Sequence, residues 1–285
     1  MTIIDVISRS AEFLDKKGVE SPRLNAELVT AHALKLPRMQ LYLNFDRPVE
    51  PALLDSIRSL IIRRGSREPL QHILGTTHFC GLEFHVDKRA LIPRPETELL
   101  VELALALLER EEGRRQRIID FGTGSGCIAI TLAHKRPDLH VDALDISAAA
   151  LELAMRNAEE HGVVDRIAFT RSDGFDRLAV DPKYAMVVAN PPYIPTPELA
   201  MLAPEVRDFD PRQALDGGID GLDFYRFLAR STSAFLRPGA RILMELGEGQ
   251  TESVTEIFQQ QHWVVESTHN DYTERLRFLV AHSRA

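Results

Sequence analysis

Hydrophobic residues repeat at helical spacing along the first part of the chain. Three such series lie over residues 3–14, 24–34 and 53–61, with polar positions between the apolar ones. The dipeptide Ser21-Pro22 predicts a helix start, because serine caps helix N-termini and proline suits the first helical position. The pattern predicts a small bundle of helices over residues 1–75.

The helical period ends after this bundle. Over residues 76–92, apolar side chains alternate with polar ones on either side of Gly81, which predicts a short hairpin. Pro93 and Pro95 then make a stiff, extended hinge that leads into a helix. We expect residues 76–95 to link the helical bundle to a second, larger domain.

Strands and helices alternate through the remaining residues, 96–285. Apolar runs predict seven strands, at residues 117–120, 140–145, 167–170, 184–190, 241–246, 263–266 and 276–281. Helical patterns separate them, for example at residues 99–108, 147–161, 222–236 and 251–261. This alternation predicts an α/β fold with a mostly parallel sheet, whose ligands bind at the carboxyl ends of the strands. Residues that carry chemistry are therefore expected directly after strands.

The composition is that of a globular protein with about two domains. Apolar residues make up 44% and charged residues 27% of the 285 positions. No apolar run approaches the roughly 18–20 residues that a membrane span needs, and acidic residues interrupt the N-terminus where a signal peptide would be apolar. The two cysteines, Cys80 and Cys127, are consistent with a reducing compartment. We expect a cytoplasmic protein without membrane contact.

The net charge of −8 is unevenly distributed. Residues 1–90 contain 13 Lys and Arg against 11 Asp and Glu, whereas the rest of the chain contains 21 against 31. An acidic larger half is a poor docking surface for phosphate backbones, which require clustered basic residues. The charge therefore weighs against an enzyme that acts on nucleic acid.

A glycine-rich loop follows the first strand of the larger domain. It reads Gly122-Thr123-Gly124-Ser125-Gly126, and its glycines allow a sharp turn and the close approach of a ligand. Asp145 ends the next strand and can accept both hydroxyl protons of a ribose, and Asp120 at the mouth of the loop can hold a cationic amine. These features suit S-adenosyl-L-methionine, which has a ribose and an ammonium but no pyrophosphate. A tight strand-to-helix turn that binds nothing is the alternative.

An acidic residue also follows the third strand of this domain. Asp173 precedes Gly174, and an acidic residue at this strand end commonly faces the adenine amino group in S-adenosylmethionine enzymes. An ordinary Asp-Gly turn explains the same dipeptide.

The most specific motif is Asn190-Pro191-Pro192-Tyr193, at the end of the fourth strand. The residue before a proline is held out of the helical region, so Asn190 is extended at the strand tip. Neither proline has an N–H, so the turn offers carbonyl acceptors, and the Asn190 side chain adds another. A group with two N–H donors, an amide or an aromatic amine, fits this acceptor pair, and Tyr193 offers it a flat face. A Pro-Pro strand terminator is the alternative.

These motifs together resemble the HemK/PrmC family of release-factor glutamine methyltransferases. Further segments typical of that family lie at residues 69–75, 79–84, 91–98, 204–207, 214–222 and 245–247. The resemblance implies a Rossmann-like class I S-adenosylmethionine methyltransferase domain preceded by the helical bundle and hairpin linker. It also implies the reaction: methylation of the glutamine N5 in the Gly-Gly-Gln motif of class 1 peptide chain release factors, with S-adenosyl-L-homocysteine as the second product.

Residue roles follow from the same resemblance. The cofactor would be bound by Gly122, Thr123, Gly124, Ser125, Gly126, Asp145, Asp173, Gly174 and Asn190, and the glutamine by Asn190, Pro191, Pro192 and Tyr193. The helical domain would help to hold the release factor. The family often has an aromatic residue at the position of Gly174. No metal is expected, because the ten histidines show no ligand spacing. A monomer is expected, because nothing in the sequence suggests an obligate dimer.

A primary amide is a poor nucleophile, because its nitrogen lone pair is delocalised into the carbonyl. We therefore hypothesise catalysis mainly by positioning. The Asn190 side-chain oxygen and the Pro191 carbonyl accept the two amide hydrogens, and Tyr193 packs on the amide plane.

Two rival interpretations remain at this stage. An adenine-N6 or cytosine-N4 methyltransferase acting on DNA or RNA would use the same acceptors, but it should also have a basic groove. A non-catalytic binding protein that kept the cofactor fold would not need the intact Asn-Pro-Pro-Tyr motif.

Overall fold

A computed structural model describes residues 1–109, 116–179 and 184–283 of the chain. Its contacts divide the chain into two compact units. The first comprises Met1–Thr76 and Ala203–Phe209, and the second comprises Thr77–Leu202 and Asp210–Ala285. The domain boundaries predicted at residues 75 and 95 stay predictions, and residues 110–115, 180–183 and 284–285 of the predicted third segment lie outside the described residues.

The first unit is helical, as its apolar periodicity predicts. Its helices are α1 (Ile3–Lys16), α2 (Pro22–Leu34), α3 (Arg38–Leu43), α4 (Pro51–Gly65) and α5 (Leu70–Leu74). Thr2 and Asp5 form a capping box that begins α1. The apolar faces of the helices share one core, which includes the fully buried Leu14, Val29 and Ile57.

The predicted start of α2 at Pro22 is confirmed, but the expected cap is wrong. Ser21 adopts a left-handed conformation, with φ at 50°, and its side chain accepts no capping hydrogen bond within the described residues. The Asn25 side chain instead donates to the carbonyl oxygens of Glu20 and Ser21, at 3.0 and 3.1 Å.

A short segment from late in the chain, Ala203–Phe209, also belongs to the first unit. Its one-turn helix Pro204–Arg207 carries Glu205, whose carboxylate accepts from two arginines of the bundle. Arg67 makes a two-pronged contact at 2.6 and 2.7 Å, and Arg64 donates at 2.9 Å. Bidentate pairs of this kind fix geometry as well as charge.

The second unit contains the sheet that the sequence predicts. A hairpin of β1 (Thr76–Phe79) and β2 (Leu82–His85) leads toward it. The main strands are β3 (Gln116–Phe121), β4 (Leu139–Asp145), β5 (Ile167–Arg171), β6 (Tyr184–Ala189), β7 (Leu236–Glu245), β8 (Trp263–Asn270) and β9 (Leu276–Ser283). The helices around them are α6 (Pro95–Glu109), α7 (Cys127–Lys135), α8 (Ala148–Glu160), α9 (Asp223–Ser231) and α10 (Thr251–Gln260).

In the described part of the chain, seven strands form one sheet in the order β5-β4-β3-β6-β7-β9-β8. The neighbours from β5 to β7 pair in parallel, and β9 is antiparallel to both β7 and β8. The strand order reverses between β3 and β6, which is where α/β sheets open a crevice for ligands. The predicted fold class, a mostly parallel seven-stranded α/β sheet after a helical bundle, is confirmed.

The register of the central strands aligns their carboxyl ends. Phe121 on β3 pairs with Leu144 on β4 and with Ala189 on β6. The glycine loop, Asp145 and Asn190 each follow one of these aligned positions, so the three sequence motifs reach the same edge of the sheet.

Several element boundaries differ from the prediction, and the strand predicted over residues 263–266 extends to Asn270. The helix predicted over residues 222–236 ends at Ser231, and a tight 3-10 turn follows to Phe235. Strand β7 starts at Leu236, which pairs with Tyr184, and a register shift then accommodates the next residues. The sequence pattern does not predict that β7 starts at Leu236, because Pro238 and Gly239 interrupt the apolar run.

We predict that Gly126→Ala destabilises the fold by about 1–3 kcal/mol more than Gly162→Ala. Both glycines have positive φ, at 82° and 65°, so both substitutions carry left-handed backbone strain. A Cβ on Gly126 would lie 2.8 Å from Ile130 Cδ1 and 3.0 Å from Ala154 Cβ, whereas at Gly162 no described atom lies within 4 Å. Urea denaturation of both variants measures the difference, and equal losses would contradict the packing argument.

Candidate active site

A cavity of about 250 Å³ lies at the carboxyl edge of the sheet. Most of the predicted site residues line it: Gly122, Thr123, Gly124, Ser125, Asp145, Asp173, Gly174, Asn190 and Pro192. Among the described residues, Gly126, Pro191 and Tyr193 contribute no lining to it. Gly126 instead starts α7 and packs against α8.

Asp145 and the glycine loop are joined by a backbone hydrogen bond. The Gly124 N–H donates to Asp145 Oδ2 at 2.9 Å, and the Ser147 N–H donates to Oδ1 at 2.8 Å. Burial raises the pKa of the Asp145 carboxyl, while these two N–H groups oppose the shift. A carboxylate has about four acceptor sites, so both oxygens can still accept hydroxyl protons from a ligand in the cavity.

Asp120 occupies a different place from the one expected. It is fully buried under the glycine loop, and its Oδ2 accepts from the Thr123 hydroxyl at 2.6 Å and the Ala129 N–H at 3.2 Å. Among the described residues it does not line the cavity. Burial raises the pKa of its carboxyl to about 7. The hydrogen bonds of Asp120 therefore stabilise the glycine loop and the start of α7.

An aromatic group fills the space next to Gly174. A Cβ at this position would overlap the ring of Phe227, which stacks on Phe175 with centroids 5.7 Å apart. Phe224, one turn earlier on α9, lines the cavity. Helix α9 thus supplies apolar rings beside the position at which an aromatic residue is common in the HemK/PrmC family. No sequence signal links Phe224 to the site, because it lies on a helix far along the chain.

The Asn190 side chain is held in one orientation. Its Nδ2 donates to the Thr97 hydroxyl at 3.1 Å, and that hydroxyl donates to Glu245 Oε2 at 2.8 Å. The end of the amide that carries Oδ1 is therefore turned away from Thr97. Since Pro191 and Pro192 lack N–H groups, the turn presents acceptors.

Tyr193 is engaged by groups of the protein itself. The guanidinium of Arg277 lies 5.3 Å from the centre of its ring, and its hydroxyl lies 3.5 Å from Glu245 Oε1. Burial, with the nearby Glu245 charge, raises the pKa of the Tyr193 phenol to about 12. The Gln250 side chain donates to the Tyr193 carbonyl at 2.9 Å. Tyr193 thus holds the turn in place, and its packing on a substrate amide stays a prediction.

One wall of the cavity comes from the segment that the sequence predicts only as a linker. Residues 89–94 line it. Arg94 donates to Asp210 Oδ2 at 2.8 Å, and burial raises the pKa of the Asp210 carboxyl to about 6 against the opposing charge of Arg94. The two prolines that flank Arg94 keep this wall extended.

Comparisons with known proteins match both parts of the chain. Residues 5–75 match the PrmC N-terminal domain, and residues 96–201 match the methyltransferase small domain. A release factor glutamine methyltransferase of Geobacter sulfurreducens is 46% identical over 259 residues, which cover 91% of this chain and 89% of the relative. The chain belongs to the release factor glutamine methyltransferase family. A relative of the same name from Moorella thermoacetica is 39% identical over 285 residues, covering 100% of this chain and 99% of its own.

Two solved structures are similar to parts of this family member, and the first one agrees with its fold. The N-terminal domain of human METTL16, in complex with SAH, has a TM-score of 0.52 at 18% identity and covers 72% of this chain and 77% of its own. A release factor-specific protein-(glutamine-N5) methyltransferase from Alicyclobacillus acidocaldarius is 30% identical, covers 71% of this chain and 100% of its own, and has a TM-score of 0.42.

The described residues bring together no group of three or more His, Cys, Asp or Glu side chains suited to hold a metal ion. None of the described helices is both long and apolar enough to span a membrane.

We predict that D120N removes part of the pH dependence of stability. The folded protein holds the Asp120 proton more tightly than the unfolded chain, so this contribution to stability is fully present below about pH 4 and is lost as the pH rises toward 7. The melting temperature of D120N, relative to the unsubstituted protein, should therefore increase from pH 5 to pH 8. Thermal melts at each pH measure it, and parallel profiles would contradict the buried, proton-binding role.

Proposed function

We propose that this protein transfers a methyl group from S-adenosyl-L-methionine to the side-chain amide nitrogen of the glutamine in the Gly-Gly-Gln motif of class 1 peptide chain release factors. The amide nitrogen gains the methyl group and loses one proton, and S-adenosyl-L-homocysteine is the second product. The observation that carries this proposal is the oriented acceptor at Asn190, which lines the same cavity as the glycine loop and Asp145. Membership of the release factor glutamine methyltransferase family supports the choice of a glutamine amide as the acceptor's partner.

The residues around the cavity fit S-adenosyl-L-methionine. Asp145 keeps acceptor capacity for two ribose hydroxyls, and Asp173 lies at the strand end expected for the adenine amino group. No described atom lies within 4 Å of the position that a Cβ on Gly122 would take, so the loop leaves room for a ligand. When bound, this cofactor supplies an electrophilic methyl group on a sulfonium centre.

The contribution of the protein to the reaction is orientation. We propose that Asn190 Oδ1 and the Pro191 carbonyl accept the two N–H groups of the glutamine amide, so that its nitrogen cannot rotate. Pre-orientation of reactants can supply up to about 7–11 kcal/mol of a barrier. A single hydrogen bond contributes only about 0.5–1.5 kcal/mol of net binding, so these acceptors should affect rate more than affinity.

The helical unit is proposed to help hold the release factor. Met39, Leu43 and Phe45 lie in or directly after α3 and have exposed fractions of 72%, 75% and 54%. Exposed large apolar side chains are typical of protein contact surfaces. We propose a cytoplasmic monomer that acts in translation termination, with a protein substrate and no metal.

Incubation with S-adenosylmethionine labelled in its methyl group tests the substrate. We expect label on a class 1 release factor and none on a factor whose Gly-Gly-Gln glutamine is replaced by alanine. A DNA duplex and an RNA hairpin serve as the other acceptors, and label on either would favour the nucleic-acid amino-methyltransferase. Binding of the cofactor without any transfer would favour the non-catalytic alternative.

Asn190→Ala should reduce kcat at least about a hundredfold, because it removes a preorganised acceptor from the reacting group. The Kd for S-adenosylmethionine should change by no more than about threefold, the size of a weak hydrogen bond. Steady-state kinetics and calorimetry measure the two effects. Asn270→Ala, at an exposed position near the end of β8, is the matched control, and a variant at Asn190 with normal kcat would remove this residue from the mechanism.

Asp145→Ala should weaken the affinity for S-adenosylmethionine by roughly tenfold to a hundredfold, the size expected for loss of hydrogen bonds to a charged acceptor. Asp138→Ala is the control, because this carboxylate lies just before the opposite end of β4 and is paired with Arg136. Calorimetric titration measures both. Unchanged affinity for the Asp145 variant would exclude its contact with the ribose.

A further inference from the structure

Three polar side chains from distant parts of the chain form a hydrogen-bonded line that begins at the cavity, which Asn190 and Thr97 both line. Asn190 follows β6, Thr97 lies in the first turn of α6 and Glu245 ends β7. The Asn190 Nδ2 donates to Thr97 Oγ1 at 3.1 Å, which donates to Glu245 Oε2 at 2.8 Å. Thr97 and Glu245 are 2% and 1% exposed, so within the described residues this line is closed to solvent at its far end.

The chemistry of these groups gives the line a direction. The Thr97 hydroxyl donates to Glu245 Oε2, so its single proton points at Glu245. The oxygen of Thr97 then has only lone pairs to offer Asn190, which must present its NH₂. The opposite rotamer of Asn190 would place its carbonyl oxygen against those lone pairs. Because the two ends of a carboxamide have nearly the same shape, packing alone does not choose between them.

Groups from several elements surround the Glu245 carboxylate. Arg277 on β9 lies with its Nε 3.9 Å from Oε1, and the Tyr193 hydroxyl lies 3.5 Å from the same oxygen. The Tyr225 hydroxyl donates to the Glu245 carbonyl at 3.0 Å, and the charge of Glu96 on α6 also acts on Glu245. Burial raises the pKa of the Glu245 carboxyl, while the Thr97 hydroxyl and then Arg277 favour the charged form.

We infer that Thr97 and Glu245 are positioning residues that keep the acceptor end of the Asn190 carboxamide toward the cavity. The inference rests on the proposed function, in which Asn190 must accept and not donate a hydrogen bond. With the line interrupted, the Asn190 NH₂ loses its buried partner. We then expect the Asn190 side chain to rotate so that its NH₂ faces the cavity. There it opposes the N–H groups of the substrate amide, with which it cannot form a hydrogen bond.

The orientation can be measured apart from catalysis. The chain has five asparagines, Asn25, Asn44, Asn157, Asn190 and Asn270. Selective ¹⁵N-asparagine labelling therefore gives five side-chain NH₂ signals, and the signal missing from Asn190→Ala identifies the one of interest. In the unsubstituted protein we expect the Asn190 NH₂ protons to exchange slowly with water.

Thr97→Val removes the hydroxyl at nearly constant shape, and Thr97→Ser keeps it. We expect Thr97→Val to exchange the Asn190 NH₂ protons at least about tenfold faster and to reduce kcat about tenfold, the effect of losing a buried hydrogen bond. The Kd for S-adenosylmethionine should stay unchanged, and Thr97→Ser should restore both exchange and kcat. Thr30→Val controls for loss of a buried threonine hydroxyl elsewhere, since Thr30 donates to the Ala26 carbonyl within α2.

Glu245→Gln is the second variant. Glutamine can donate to the Thr97 hydroxyl as well as accept from it, so Thr97 is no longer restricted to accepting from Asn190. Faster exchange at Asn190 is expected here too. Slow exchange at Asn190 in both Thr97→Val and Glu245→Gln would overturn the inference, as would a Thr97→Ser variant no better than Thr97→Val. Failure of the protein to methylate a release factor, with exchange still dependent on Thr97, would refute the proposed function and leave the orienting role supported.

Discussion

The parallel register of three central strands is the constraint on which the site depends. β3 is paired on both sides, and Phe121 at its end is level with Leu144 and Ala189 on its neighbours. Ile118 and Ile119 point to opposite faces of the sheet and both are fully buried, so packing on both faces holds this register. The glycine loop, Asp145 and Asn190 meet because the hydrophobic core leaves these strands one alignment.

Two buried carboxylates support the cavity in the same way. Asp120 accepts the hydroxyl of Thr123 beneath the glycine loop, and Glu245 accepts the hydroxyl of Thr97 beneath the Asn190 turn. Each carboxylate has a raised pKa because it is removed from water. An ionisable group in such a place is costly unless its partners satisfy it. In both places, a threonine hydroxyl that donates to a buried carboxylate stabilises one side of the site.

The sequence predicts the sheet and the residues at its strand ends well, because both depend on local patterns. Apolar runs give the strands, and Gly122, Asp145 and Asn190 stand directly after them. The interactions that the sequence does not predict join residues far apart, as between Thr97 and Asn190, or come from a helix such as the one that carries Phe224. Charge alone misleads as well: Asp120 is adjacent to the glycine loop in sequence, yet its side chain turns inward and binds Thr123.

The segment Ala203–Phe209 returns the chain to the first unit late in the sequence. The backbone crosses between them after Thr76, again before Ala203 and a third time after Phe209, and Glu205 forms ion pairs with Arg64 and Arg67 of the helical bundle. The helices of residues 1–76 are therefore not the whole of the first unit and cannot be exchanged alone. A chimera that combines residues 1–76 of this chain with the rest of a relative would separate Glu205 from Arg64 and Arg67, so these three residues have to be transplanted together.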